Sequence, residues 1–245
     1  MLIPTDYDES WSTFLTKDIR IMIDDIENGI GVDYTPDSYN VLRFLKMDLR
    51  KVKCVWLGQD PYKSEVTLKD GKVAKVAVGR SFQPGNLASW YQPYKQVSLK
   101  NIIRLIYKTY NPALNYNDIK SYKEVTDYIK EGSFPVLEPQ EWFESLTNQG
   151  VMFLNTYLTC KIGESNSHKN LWYDFSQEVI KYMSNEKSDI IWFLWGKEAI
   201  SNKEFIKNGT IYESRHPMMC SNKYEDDFLK SDCFEKTKNI INWLG

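Results

Sequence analysis

Four short apolar runs constrain what this chain can fold into. They are "VKCVWL" at 52–57, "VMFL" at 151–154, "IIWFLW" at 190–195 and "TIYES" at 210–214. The first three are nearly continuous in apolar residues rather than alternating, as expected of central strands covered on both faces. A buried helical segment would give a similar run. Their shortness and their β-branched and aromatic content favour strands.

Helical periodicity fills the intervals. Trp172, Phe175, Val179, Ile180 and Met183 recur at helical spacing, as do Ile102, Ile103 and Ile106 behind a Ser98 suited to cap their helix. Leu42, Leu45 and Leu49 mark a helix before the first strand. Trp11, Phe14, Leu15, Ile19, Met22, Ile23 and Ile26 mark one or two helices near the N-terminus. Strands separated by helices predict an α/β fold with right-handed crossovers. The expectation is a three-layer α/β/α arrangement around a central, mainly parallel, four-stranded sheet. Asp70-Gly71, inside "EVTLKDGKVAKVAVGRSF", is a hairpin signal, so a β-hairpin or extended loop is expected as an insert near 65–80. No repeat, low-complexity tract or linker divides residues 1–245, so one domain is expected.

Composition narrows the classes. A net charge of −2 gives no global basic field, so a nucleic acid would have to meet a local patch. The four cysteines, Cys54, Cys160, Cys220 and Cys233, lie far apart, without zinc-ribbon or iron–sulfur spacing. Cys54 and Cys160 sit in or beside apolar runs and read as reduced and buried, which implies a reducing compartment. The start, "MLIPTDYDES", lacks the basic and apolar regions of a secretory signal, and no run reaches the roughly 18 apolar residues of a membrane span. A soluble cytoplasmic protein, without metal or cofactor, is expected.

The informative pattern lies just beyond the end of each run: Gly58-Gln59-Asp60-Pro61-Tyr62, then Asn155-Thr156, Gly196-Lys197 and Ser214-Arg215-His216-Pro217. Ligands of open α/β sheets bind outside the carboxyl ends of the strands. A carboxylate, an amide, a glycine–lysine turn and a histidine at four such ends are parts for acid–base or electrostatic catalysis. Singly, each has a plainer reading. Asp60-Pro61 is common turn chemistry, Asn155 suits a strand-end turn, Phe82 suits a core, and His216 suits an exposed loop.

Together these stretches resemble the uracil-DNA glycosylases of the uracil-N-glycosylase type. The matching pieces are "GQDPY" at 58–62, "GRSF" at 79–82, "FLNTYLT" at 153–159, "NSH" at 166–168, "FLWGKEA" at 193–199 and "HP" at 216–217. They occur in the family's order over about two thirds of the chain. The first fifty residues and the hairpin-like insert carry no such motif.

The resemblance implies a monofunctional N-glycosyl hydrolase that flips uracil out of DNA and leaves an abasic site, as in base-excision repair. It implies that Asp60 stabilises the cationic sugar and orients water, and that His216 donates to O2 of the departing base. It implies that Asn155 reads the uracil edge, Phe82 stacks on the base, and Tyr62 excludes a C5 methyl group, with Gln59 also at the base. DNA contacts are expected from Lys63, Ser98, Gly196 and Lys197, with Arg80 and Arg215 adding local charge. The implied partner is uracil-containing DNA, bound by a monomer; the sequence names no proteinaceous inhibitor and no replication partner.

The chain departs from the family pattern at three places. Lys63 stands where histidine usually comes after GQDPY. "YKQVSLKN" replaces the proline-rich DNA-compressing loop, with Ser98 in the matching place. The DNA-inserting loop reads His216-Pro217-Met218-Met219-Cys220-Ser221, so Cys220 occupies the position of the wedge leucine and Met219 is the alternative wedge. Two other readings are a glycosylase for another damaged or modified base, in defence against foreign DNA, and a DNA-binding accessory protein with weakened catalysis. Tyr62 and Asn155 argue against the first; Asp60 and His216 argue against the second.

Overall fold

A computed structural model describes residues 2–68 and 70–245. Among them the strands are β1 (Tyr34–Thr35), β2 (Cys54–Gly58), β3 (Glu65–Thr67), β4 (Val73–Lys75), β5 (Val151–Asn155), β6 (Cys160–Lys161), β7 (Ile191–Trp195) and β8 (Thr210–Ser214). The helices are α1 (Lys17–Ile30), α2 (Ser38–Val41), α3 (Val97–Tyr110), α4 (Tyr122–Lys130), α5 (Pro139–Asn148), α6 (Lys169–Glu186), α7 (Lys197–Ile200) and α8 (Cys233–Thr237).

The four apolar runs form one parallel sheet in the order β5-β2-β7-β8. Every residue of β2, β5 and β7 is buried, while β8, at an edge, is only partly covered. Successive strand residues point to opposite faces, so a continuous apolar run needs a core on each side. Val55, Leu57, Met152, Leu154, Trp192 and Leu194 join one core with the apolar faces of α1 and α6. Trp56, Phe153, Phe193 and Trp195 join the other with α3, α5 and α8. In that second core the Trp56 ring meets Phe153, Trp195, Phe234 and Trp243 at centroid distances of 5.0–5.7 Å. The α/β/α expectation is borne out.

Local sequence explains most boundaries. Thr16 caps α1 by accepting from the Ile19 N–H, and Ile19, Ile23, Ile26 and Ile30 form its buried stripe. Ser121 and Glu124 form a reciprocal capping box on α4, and Pro139 opens α5. The hairpin predicted near 65–80 is the antiparallel pair β3–β4, turned by Gly71 at φ 81°.

Two helical expectations are corrected. Leu42, Leu45 and Leu49 are buried, but they lie on α2's C-terminal edge and two 3-10 turns, Arg43–Lys46 and Leu49–Lys51. Met47 is extended and Asp48 caps the next turn, so no continuous helix forms. Ser98 is not the cap of α3; it lies inside the first turn, behind Gln96 at the N-cap.

Candidate active site

Because the sheet is parallel, all four motif-bearing segments emerge at one end. Gly58 pairs with Asn155 across β2–β5, and Trp195 pairs with Ser214 across β7–β8. Glycine is required where these segments touch. A β-carbon on Gly58 would stand 2.4 Å from Asn155 Oδ1 and 2.8 Å from Ser81 Cβ. One on Gly196, whose φ is +89°, would stand 2.8 Å from His216 Cβ.

Asp60 lies two residues beyond β2 and is half-buried. Its Oδ2 accepts the Asn166 backbone N–H at 2.8 Å. Burial raises its pKa above the ordinary 3.8, while the Asn166 N–H and the Lys63 charge pull it down and Glu198 pushes it up. The Gln59 side chain donates to Asn166 Oδ1, and the Gln59 carbonyl accepts from Tyr157 N–H at 2.8 Å.

His216 is half-buried, and burial lowers its pKa below 6.5. Its Nδ1 accepts the Met218 N–H at 3.2 Å. An accepting Nδ1 cannot carry a proton, so the ring is neutral and its proton is on Nε2. The turn beyond is braced from α3: Asn101 Nδ2 donates to the Pro217 carbonyl at 2.7 Å, and Arg104 holds Asn101 Oδ1 at 2.8 Å. Asp227, 1% exposed, holds it from the other side by accepting the Ser221 N–H at 2.6 Å.

Asn155 is 8% exposed, yet its carboxamide forms no hydrogen bond among the described residues. Neither polar atom of the carboxamide is fully buried, so both are open to water or to a ligand. Phe82 has φ +62°, an uncommon state for a bulky residue and one that points to a functional constraint. Ser81 sets this turn by donating to the Trp56 carbonyl at 2.9 Å, and the Phe82 ring packs edge-on against Trp195 at 5.7 Å. Tyr62 donates to the Phe82 carbonyl at 3.1 Å, tying the residue after Pro61 to the aromatic platform.

The expected DNA contacts divide. Lys63 and Lys197 are exposed and form no ion pair among the described residues. Met218 and Met219 are each 56% exposed. Ser98 is half-buried in the first turn of α3, whose Asn101 touches the His216 loop. Several assignments need correction. The Gly196 N–H already donates to the Ser214 carbonyl at 2.9 Å, so it is not free for phosphate. Cys220 is turned inward, with Sγ donating to the Pro217 carbonyl at 3.2 Å and packing against the core, because its loop is tied down by Asp227. Arg80 is committed to Glu144 at 2.9 Å. Arg215 stacks on Tyr224, with its guanidinium 3.5 Å from the ring centroid.

Sequence reasoning assigns no role to Asn166, Asn101, Asp227 or Glu198. Asn166 stands inside the "NSH" motif, but only its φ of +62° and its bond to Asp60 reveal its part. Glu198 accepts from Lys169 at 3.1 Å beside Asp60, a contact no spacing in the chain announces.

A half-buried carboxylate, a neutral imidazole and an amide without a protein partner stand at the carboxyl edge of a parallel sheet, the edge at which open α/β proteins carry their sites. The chain belongs to the uracil-DNA glycosylase family. It is 33% identical over 208 residues to a uracil-DNA glycosylase of Clostridium beijerinckii, spanning 84% of this chain and 74% of that one. It is 29% identical over an alignment of 256 positions to one of Deinococcus radiodurans, spanning 100% and 87%. Among solved structures, the mimivirus uracil-DNA glycosylase superposes with a TM-score of 0.67 at 22% identity, covering 96% of this chain and 83% of that one. The UNG of Nitratifractor salsuginis superposes with 0.70 at 17%, covering 98% and 92%. No family model matches the chain.

Proposed function

We propose that this protein is a monofunctional uracil-DNA glycosylase of the uracil-N-glycosylase type, hydrolysing the bond between uracil and deoxyribose C1′. The observation that carries the reading is the gathering of a half-buried Asp60, a neutral His216 and the Asn155 amide, which has no protein partner among the described residues, at one edge of the parallel sheet. Relatives named for this activity support it.

The uracil nucleotide leaves the base stack and enters the crevice, at a cost of a few kcal/mol. Phe82 offers a face for the base to stack on. The Asn155 amide donates to O4 and accepts from N3–H; cytosine presents the reverse pattern. Tyr62, held by its hydroxyl on the Phe82 carbonyl, fills the space at C5 and excludes thymine. As the C1′–N1 bond lengthens, positive charge grows on the sugar and negative charge on the base. Ionised Asp60 stabilises the first and aligns a water. The Nε2–H of His216 donates to O2 and stabilises the second, an effect worth ~3 kcal/mol in comparable oxyanion sites. Water's hydroxyl joins C1′, and its remaining proton is released as the base leaves.

The 245 residues act as one domain, since both apolar cores share one sheet, and bind DNA as a monomer at Lys63, Lys197, the start of α3 and the Met218–Met219 turn. Among the described residues no helix is long and apolar enough to cross a membrane. All four cysteines are free, which suits a reducing cytoplasm.

The test is base release from oligonucleotides carrying uracil, thymine, cytosine or a modified cytosine, with EDTA present. Uracil alone should be released. Release of another base in preference to uracil, or activity that EDTA abolishes and a metal restores, overturns the reading.

A further inference from the structure

Asp60 accepts a backbone hydrogen bond from a residue 106 positions away in the chain. Asn166 holds a left-handed backbone, φ +62°, and its N–H meets Asp60 Oδ2 at 2.8 Å while its side-chain oxygen accepts from Gln59. One residue thus grips both Gln59 and Asp60 as they leave β2.

The loop that carries Asn166 is itself stapled. At one end the Gly163 N–H donates to the Lys63 carbonyl at 2.8 Å, joining the loop to the segment after Tyr62. In the middle, Ser167 Oγ accepts from the Lys161 N–H at 2.7 Å and donates to the Glu164 carbonyl at 2.9 Å. At the other end the Asn166 carbonyl accepts the Lys169 N–H at 3.0 Å as α6 begins. Beneath, His168 is 3% exposed and its Nδ1 lies 2.9 Å from Thr159 Oγ1, which also accepts from Trp172 Nε1 at 2.7 Å. These contacts leave the 166 N–H little freedom to turn away.

We propose that Asn166 is a positioning residue of the glycosylase reaction: its left-handed backbone aims an N–H at Asp60, and its side chain ties Gln59, so that the carboxylate meets the substrate sugar ionised and in one orientation. The inference rests on the glycosylase reading. Asparagine suits the site because it tolerates the left-handed state at low cost and still offers an acceptor to Gln59. Glycine would keep the backbone and lose the acceptor. A β-branched residue would be driven from that conformation and carry the N–H with it.

The titrating surroundings of Asp60 set the sign of the effect. Lys63, on its own loop, favours the ionised form; Glu198, from α7, disfavours it; Cys160, from β6, feels Asp60 but is neutral at working pH. The N–H favours the ionised form, so its loss raises the Asp60 pKa. The acidic limb of kcat/KM must then move to higher pH. His216 titrates in every variant alike, so a difference between variants reports Asp60.

The experiment measures kcat/KM against pH on a uracil oligonucleotide for the parent and for Asn166→Gly, Asn166→Ala and Asn166→Val, with thermal melts to confirm folding. Asn166→Val should lose at least tenfold, with the acidic limb about half a pH unit or more higher. Asn166→Ala should fall between it and the parent, and decides the matter if the valine variant does not fold. Asn166→Gly should lose a few-fold through Gln59, with the limb where the parent has it. An unmoved limb in both the valine and alanine variants, or an equal shift in Asn166→Gly, overturns the proposal. A parent that releases no uracil would instead overturn the glycosylase reading.

Discussion

Gly196 and His216 are pressed together at the ends of adjacent strands: a β-carbon on Gly196 would come within 2.8 Å of His216 Cβ and 3.2 Å of its Cδ2. The imidazole that the proposed reaction uses is therefore seated by the absence of a side chain just beyond the neighbouring strand. Gly196→Ala must displace the ring or distort a backbone already at φ +89°. The strain should cost ~1–3 kcal/mol of stability. The larger effect should be on kcat, a fall of roughly 100- to 1000-fold, matching the loss of one aligned donor. Single-turnover base release and a urea melt on the same preparation separate the two; a kcat within about threefold of the parent would show that the ring is not seated this way.

The pH dependence comes from two opposite shifts. Burial raises Asp60 above 3.8 and lowers His216 below 6.5. In the proposed mechanism Asp60 is ionised and His216 neutral, so protonation of either should stop the reaction. Activity should be full at neutral pH and fall as pH drops, with its midpoint between those two ordinary values. In His216→Gln, a neutral donor that does not titrate, the residual activity should keep only the Asp60 limb. A midpoint above 6.5 in the parent would contradict the burial of His216.

Base selection should be editable at two residues. Tyr62→Ala opens the space that its ring fills and should admit thymine. Asn155→Asp changes the donor pattern at the base edge and should admit cytosine while weakening uracil. Competition assays on the three pyrimidines check both, and failure of both variants to gain a substrate would remove these residues from the pocket.

Under the proposed function the wedge is expected at the methionines rather than at Cys220, because Met218 and Met219 are exposed and the thiol is turned inward. Paired substitution Met218→Ala and Met219→Ala should lower single-turnover release from a U·A duplex by about tenfold or more. Release from single strands should change little, since no stacked partner must be replaced there and unpairing costs least. Equal losses on both substrates would assign the turn a structural role instead.

Thr159→Val is nearly isosteric but strips the Trp172 indole and the His168 ring of their shared hydroxyl. Two buried polar groups left unmatched should cost about 2–4 kcal/mol. Urea unfolding measures this; a loss under about 0.5 kcal/mol would mean that other groups or water satisfy them.

The layers of this protein were legible in its sequence because burial on both faces of a strand demands an uninterrupted apolar run. The runs at 52–57, 151–154 and 190–195 favoured strands over buried helix by their shortness and their β-branched and aromatic content, and the polar residues just beyond each run marked one edge of the sheet as the candidate site. Local spacing could not say that Leu42, Leu45 and Leu49 are buried on short turns: their spacing signals burial, while a helix needs an unbroken backbone that Met47 does not supply. Contacts between distant segments were beyond it altogether. The bracing of the His216 turn depends on an amide at 101 in α3, and the contact on Asp60 depends on a backbone N–H at 166. A residue's type is written in the chain, but which group its polar atoms face is decided only when the strands have been brought side by side.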